Sequence, residues 1–191
     1  MLIGCDASIA SEKYLNIITF NLNKKAMATE KTITFSYTEY VSTDELDISD
    51  KVLIENAREA AQNAYAPYSR FRVGAAIRLE SGIIIKGANV ENAAFPSGIC
   101  AERGAIATLV SGYPDEKPEA IAITALTEDG LTDEPVTPCG NCRQVIAEEE
   151  ARSGRFIKII LSGRNKTIII ESIKNLLPLQ FSKSNMPSTL L

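Results

Sequence analysis

The stretch CAERGAIATLVSGYPDEKPEAIAITAL, residues 100–126, sets a helix directly ahead of a strand. Ala101, Ala105, Ile106 and Leu109 recur at helical spacing, Gly112 and Pro114 stop the helix, and Ala120 to Leu126 is an aliphatic run of strand length. Beyond it, Pro138 precedes a second helical segment from Gly140 to Arg152, closed by Ser153-Gly154. Strands follow at Phe156–Leu161 and Thr167–Ile170, then a short helix at Ser172–Leu177. Upstream, Phe71–Leu79 and Ile83–Asn89 flank Glu80-Ser81-Gly82 and read as a hairpin. Ser49 or Asp50 caps a helix whose apolar face is Val52, Leu53, Ala57, Ala60, Ala61 and Ala64, ending before Pro67. Between Lys31 and Val41, Ile33, Phe35 and Tyr37 alternate with hydroxyl residues, the pattern of an edge strand. The order from residue 48, αββαβαββα, predicts an α/β fold: a three-layer α/β/α sandwich around one mixed sheet.

A chain of 191 residues, 45% hydrophobic and 23% charged, has the proportions of one globular domain with an appendage. The expected organisation is a flexible extension over 1–30, an added strand or linker over 31–48, the principal domain over 49–182 and a solvated tail over 183–191. No apolar run is long enough to span a bilayer, so no membrane association is expected. With 20 Lys+Arg against 24 Asp+Glu, the chain offers no broad positive field, which argues against long nucleic acid as a partner. Met1–Ala10 lacks the features of a secretory signal, and the expected compartment is the reducing cytoplasm. Histidine is absent, which removes Ser/His and Cys/His nucleophile pairs and every histidine-bearing zinc site.

Three of the four cysteines fall where the two central helices begin: Cys100 at one, Cys139 and Cys142 at the other. A CxxC turn aims two sulfurs at one ion, a third can come from the neighbouring helix, and helix N-termini favour thiolates. Three protein ligands would leave a fourth position open, as in a catalytic zinc site, and Glu102 stands close enough to move a proton there. Arg103 and Arg143 are placed in sequence to offset the excess negative charge. Two blander readings use the same residues: a structural zinc with Cys5 as fourth ligand, or a Cys139/Cys142 redox pair. The acidic run Glu148-Glu149-Glu150 reads as a solvated helix face.

The segments YAPYSRFRVGAA (65–76), NVENAAFPSGICAER (89–103), PCGNCRQVI (138–146) and LLPLQF (176–181) resemble the small, homotetrameric cytidine deaminases of pyrimidine salvage. The resemblance covers roughly residues 50–182 and leaves the first 50 unexplained. It implies one zinc ion per subunit on Cys100, Cys139 and Cys142, with Glu102 as proton shuttle. The implied reaction is hydrolysis of cytidine and deoxycytidine to uridine and deoxyuridine, with release of ammonia, by a water the ion activates. The resemblance further implies that Asn89 and Glu91 bind the ribose 3′-hydroxyl and Phe71 packs on the pyrimidine. It assigns the ring carbonyl to the Ala101 N–H, and has Phe181 close the site of a neighbouring subunit in a homotetramer. A carboxylate at Glu91 would repel phosphate, so the free nucleoside is the expected substrate. Other readings are a deaminase of another aminopyrimidine nucleoside and a non-catalytic structural-zinc module. Gly104 departs from the Thr common in the family, and Arg70 stands at a variable position.

Overall fold

The computed structural model describes residues 28–187. The chain divides into two units, Met1–Ile33 and Thr34–Leu191, and every helix and strand among the described residues belongs to the second. Expectations for residues 1–27 and 188–191, including Cys5 as a ligand, lie outside the described residues.

Alternating aliphatic residues build the sheet. Strands β1 (Thr38–Tyr40), β2 (Arg72–Leu79), β3 (Ile84–Ala88), β4 (Pro118–Thr127), β5 (Gly130–Leu131), β6 (Lys158–Ser162) and β7 (Thr167–Ile170) form one sheet of order β1-β7-β6-β4-β2-β3, with β5 on the end of β4. Strands β2 and β3 are the expected hairpin, with Ala75 opposite Gly87. Among the paired strands described, β4 and β6 alone run parallel, and helix α3 (Gly140–Ser153) connects them.

The pleat sorts the core into two layers. Ala76, Ala120, Ala122, Ile160 and Ile169 face helix α1 (Ile48–Gln62), which buries Leu53, Ile54 and Ala57 on them. Their alternates Ala75, Ile77, Ile121, Ile123, Ile159, Leu161 and Ile170 lie under helix α2 (Ala101–Gly112) and α3, meeting Ala105, Ile106, Leu109, Ile146 and Ala147. One helix on one face and two on the other make the expected three-layer sandwich. Small residues let the helices come close. A Cβ on Gly74 would stand 2.0 Å from the Ala57 carbonyl oxygen, and one on Gly87 2.3 Å from that of Ala101. Gly104 is different: a Cβ there meets nothing within 4 Å, so packing does not require a glycine at this position.

Several expectations are corrected. The strand over 31–41 shrinks to Thr38–Tyr40, which pairs with β7; among the described residues upstream, Ile33, Phe35 and Tyr37 are 54%, 61% and 55% exposed. The N-cap of α1 is Asp47, not Ser49 or Asp50. Asp50 is instead buried, held by Arg78 at 3.2 Å and Lys158 at 2.8 Å, while Val52 is exposed. The acidic run is not a solvated face: Glu148 is exposed, but Glu149 is buried against Arg152. Glu150 is buried too, its carboxylate accepting from Ile157 N–H at 3.0 Å, Ile173 N–H at 3.0 Å and Ser172 Oγ at 2.9 Å. The helix expected over 172–177 is a single 3-10 turn, Ile173–Asn175, capped by Ser172, and a further 3-10 turn follows at Lys183–Asn185. No helix among the described residues is long and apolar enough to cross a membrane.

Candidate active site

Both helices over the larger core start at a cysteine. Cys100 is the N-cap of α2 and Cys139 that of α3, with Cys142 in the first turn behind it. The Cys139 sulfur accepts a hydrogen bond from the Cys142 N–H at 3.4 Å, serving as the helix cap. Cys100 Sγ lies 3.9 Å from Cys139 Sγ, Cys139 Sγ lies 3.4 Å from Cys142 Sγ, and all three atoms are within 4.8 Å of one another. A tetrahedron with zinc–sulfur bonds of about 2.3 Å has edges of about 3.8 Å, so the three thiols fit a single zinc ion. All three are free cysteines, with no S–S bond among them.

Without the ion the cluster is electrostatically uneven. Burial pushes the Cys142 thiol far up and raises that of Cys100. Burial acts on Cys139 in the same sense, but hydrogen bonds from the Cys142 backbone and thiol bring it below its ordinary value. Deprotonating all three would set three negative charges side by side, which calls for a cation among them. Glu102 follows in the first turn of α2, 4% exposed. Burial raises its carboxyl above the usual carboxylate range, making it a better proton acceptor.

Cys100, Cys139 and Glu102 line a cavity of about 520 Å³, a size suited to a small organic molecule. Its walls include Phe71, Asn89, Glu91, Phe95 and Val136. A zinc-binding region of cytidine and deoxycytidylate deaminases matches residues 47–157. The chain belongs to the cytidine deaminase family. It is 38% identical over 136 residues to the cytidine deaminase of Halalkalibacterium halodurans, covering 71% of this chain and 96% of that one. It is 42% identical over 135 residues to that of Sporosarcina psychrophila, covering 70% and 92%. The crystal structure of cytidine deaminase from Burkholderia pseudomallei superposes with a TM-score of 0.58 at 37% identity, over 69% of this chain and 98% of that one.

Within this cytidine deaminase fold, the residues singled out in the sequence are not placed alike. Phe71, Asn89 and Glu91 stand in the cavity wall. Asn89 does more than face the cavity: its Oδ1 accepts from Val73 N–H at 2.7 Å and its Nδ2 donates to the Phe71 carbonyl at 3.0 Å. Glu91 Oε2 accepts from the N–H groups of Tyr68 at 2.8 Å and Ser69 at 3.2 Å. Hydrogen bonds from the Ser69 side chain and the Tyr68 backbone hold its carboxyl below the usual range. Ala101 is buried behind the wall; as the first residue of α2, its N–H has no acceptor within the helix. Phe181 lies outside its own chain's cavity and is 59% exposed. Arg143 is not a solvated residue: its Nε donates to the Pro138 carbonyl at 2.8 Å and its Nη1 to the Leu176 carbonyl at 2.9 Å. Arg103 is half-buried and makes no ion pair among the described residues.

Sequence reasoning gave no role to Phe95 or Val136. Phe95 is 74% exposed and meets Tyr68 edge-on, ring centroids 5.7 Å apart. Its signal was available as an aromatic beside a proline in a loop between a strand and the Cys100 helix.

Proposed function

We propose that the protein hydrolyses cytidine and deoxycytidine to uridine and deoxyuridine, releasing ammonia, as a homotetrameric zinc enzyme of cytoplasmic pyrimidine salvage. Three thiols converging beside a buried carboxyl at one cavity carry the reading. The free thiols suit a reducing compartment.

Cys100, Cys139 and Cys142 would hold the zinc, which would supply the Lewis acidity that makes a water nucleophilic near neutral pH. Glu102 would take one proton from the water and deliver it to ring N3 as the water oxygen bonds to C4. It would then carry that oxygen's second proton to the exocyclic nitrogen as the C4–N bond breaks, leaving a carbonyl at C4 and free ammonia. Phe71 packs on the pyrimidine, and the Ala101 N–H receives the ring carbonyl. The Glu91 carboxylate and the second amide hydrogen of Asn89 take the ribose 3′-hydroxyl. The same Glu91 charge disfavours a 5′-monophosphate. Phe181 closes the cavity of a neighbouring subunit.

Purified protein incubated with cytidine should lose the substrate's ultraviolet absorbance and release ammonia, and a chelator should stop both. Glu102→Gln should retain zinc yet slow by about 10²–10⁴-fold, the worth of a positioned acid–base group. Cys100→Ala should lose the metal as well. Parental turnover by Glu102→Gln, or by metal-free protein, would refute the assignment, and equal turnover of cytidine and its monophosphate would refute the role of Glu91.

A further inference from the structure

The segment Leu176–Phe181 is tied to the cysteine turn by two consecutive side chains of α3. Arg143 joins the Leu176 carbonyl to that of Pro138, the residue before Cys139. Gln144 Nε2 donates to the Phe181 carbonyl at 2.8 Å. The front of the segment also packs, through Leu176 and Leu177, against the core. Toward the back Gln180 is half-buried, but Leu179 is 92% and Phe181 59% exposed. Between the two ties Leu179 adopts a left-handed backbone, φ 55°. That conformation is unfavourable for leucine, and a solvent-exposed side chain gains no packing to offset it. A strained residue of this kind persists where the chain on either side is held in place.

We propose that Gln144, with Arg143 beside it, is a positioning residue for the reaction: the two side chains fix the path of Leu176–Phe181 and thereby set where the Phe181 ring stands. This rests on the reading that Phe181 closes a neighbouring subunit's cavity. Arg143 fixes the start of the segment from the turn that bears Cys139, and Gln144 fixes its end, so the ring's placement is referred to the cysteine cluster. Neither side chain needs to touch the nucleoside.

Gln144→Met keeps the length and removes the donor, whereas Gln144→Lys restores an N–H donor at comparable reach. The KM for cytidine should rise about fivefold in Gln144→Met, the worth of one hydrogen bond, with kcat, zinc content and oligomeric state little altered. Gln144→Lys should return KM to within about twofold of the parent. Phe181→Ala should also raise KM, and adding Gln144→Met to it should raise it no further, because both changes act through one ring. Parental KM in Gln144→Met, effects that multiply in the double variant, or failure of Gln144→Lys to rescue would overturn the positioning role while leaving Phe181 its own. Parental KM in Phe181→Ala would overturn both.

Discussion

Replacing Asn89 by alanine separates support of the cavity wall from contact with substrate. The substitution removes the acceptor for the Val73 N–H, at 2.7 Å, and the donor to the Phe71 carbonyl, at 3.0 Å, both in partly buried surroundings. An unsatisfied buried polar group costs about 1–3 kcal/mol; with some solvent access, the two together should cost about 2–4 kcal/mol. In a domain of this size each kcal/mol shifts Tm by about 2–4 °C, so Asn89→Ala should melt roughly 5–15 °C below the parent. Asn89→Asp keeps the acceptor and loses the donor, and should fall between. Both bonds fix the backbone that carries Phe71, so KM for cytidine should rise with the loss of stability, at least tenfold for about 1.4 kcal/mol of lost binding. Thermal denaturation with parallel steady-state kinetics makes the test. A Tm within about 1 °C of the parent, with a raised KM, would mean that the amide serves substrate alone and braces nothing.

Other substitutions probe the rest of the frame. A Cβ at Gly87 would press on the Ala101 carbonyl and, at 2.7 Å, on the Ala105 nitrogen. Gly87→Ala should therefore push back the turn bearing Cys100 and Glu102, costing about 1–3 kcal/mol by overpacking and, for a shift near 1 Å, about a hundredfold in kcat/KM. Glu150→Ala would strand two backbone N–H groups and a serine hydroxyl, and urea titration should show a loss of about 2–5 kcal/mol, with activity per folded molecule preserved. The Glu91 carboxyl, lowered by Ser69 and Tyr68, contributes stability that is present above its ordinary value of 4.5 and is lost as pH falls through its folded value. The Tm gap between the parent and Glu91→Gln should therefore hold near neutrality and close below about pH 4.5; a gap that widens in acid would reverse the argument.

What could be read in advance was what is local. Helical spacing in 101–109, the turn after Leu79 and the CxxC at 139–142 each lie within a few residues, and each is where periodicity placed it. Cys100, Glu102 and the CxxC turn were legible for the same reason: they open helices, and helix starts are marked by breakers and caps. Periodicity assigns a face but does not say which charge on that face has a partner. Asp50 turns inward because Arg78 and Lys158 arrive from two different strands, and Glu150 because a loop and a 3-10 turn present donors to it. Asn89 was read for its chemistry, but its two bonds reach back 16 and 18 residues along the chain. The alternation in 31–37 is the same whether or not another layer covers it, so it could not reveal that Phe35 and Tyr37 would face solvent.

Strand β1 ends before residue 47, where the match to the deaminase region begins, yet it hydrogen-bonds along Thr167–Ile169 of β7. Without it that margin of the sheet would present unpaired amides and carbonyls, an invitation to self-association. A chain that lacks only the residues before 47, keeping β6, β7 and the segment to Phe181, should keep its chemistry and lose solubility: the addition behaves as a built-in chaperone for the rim on which it lies.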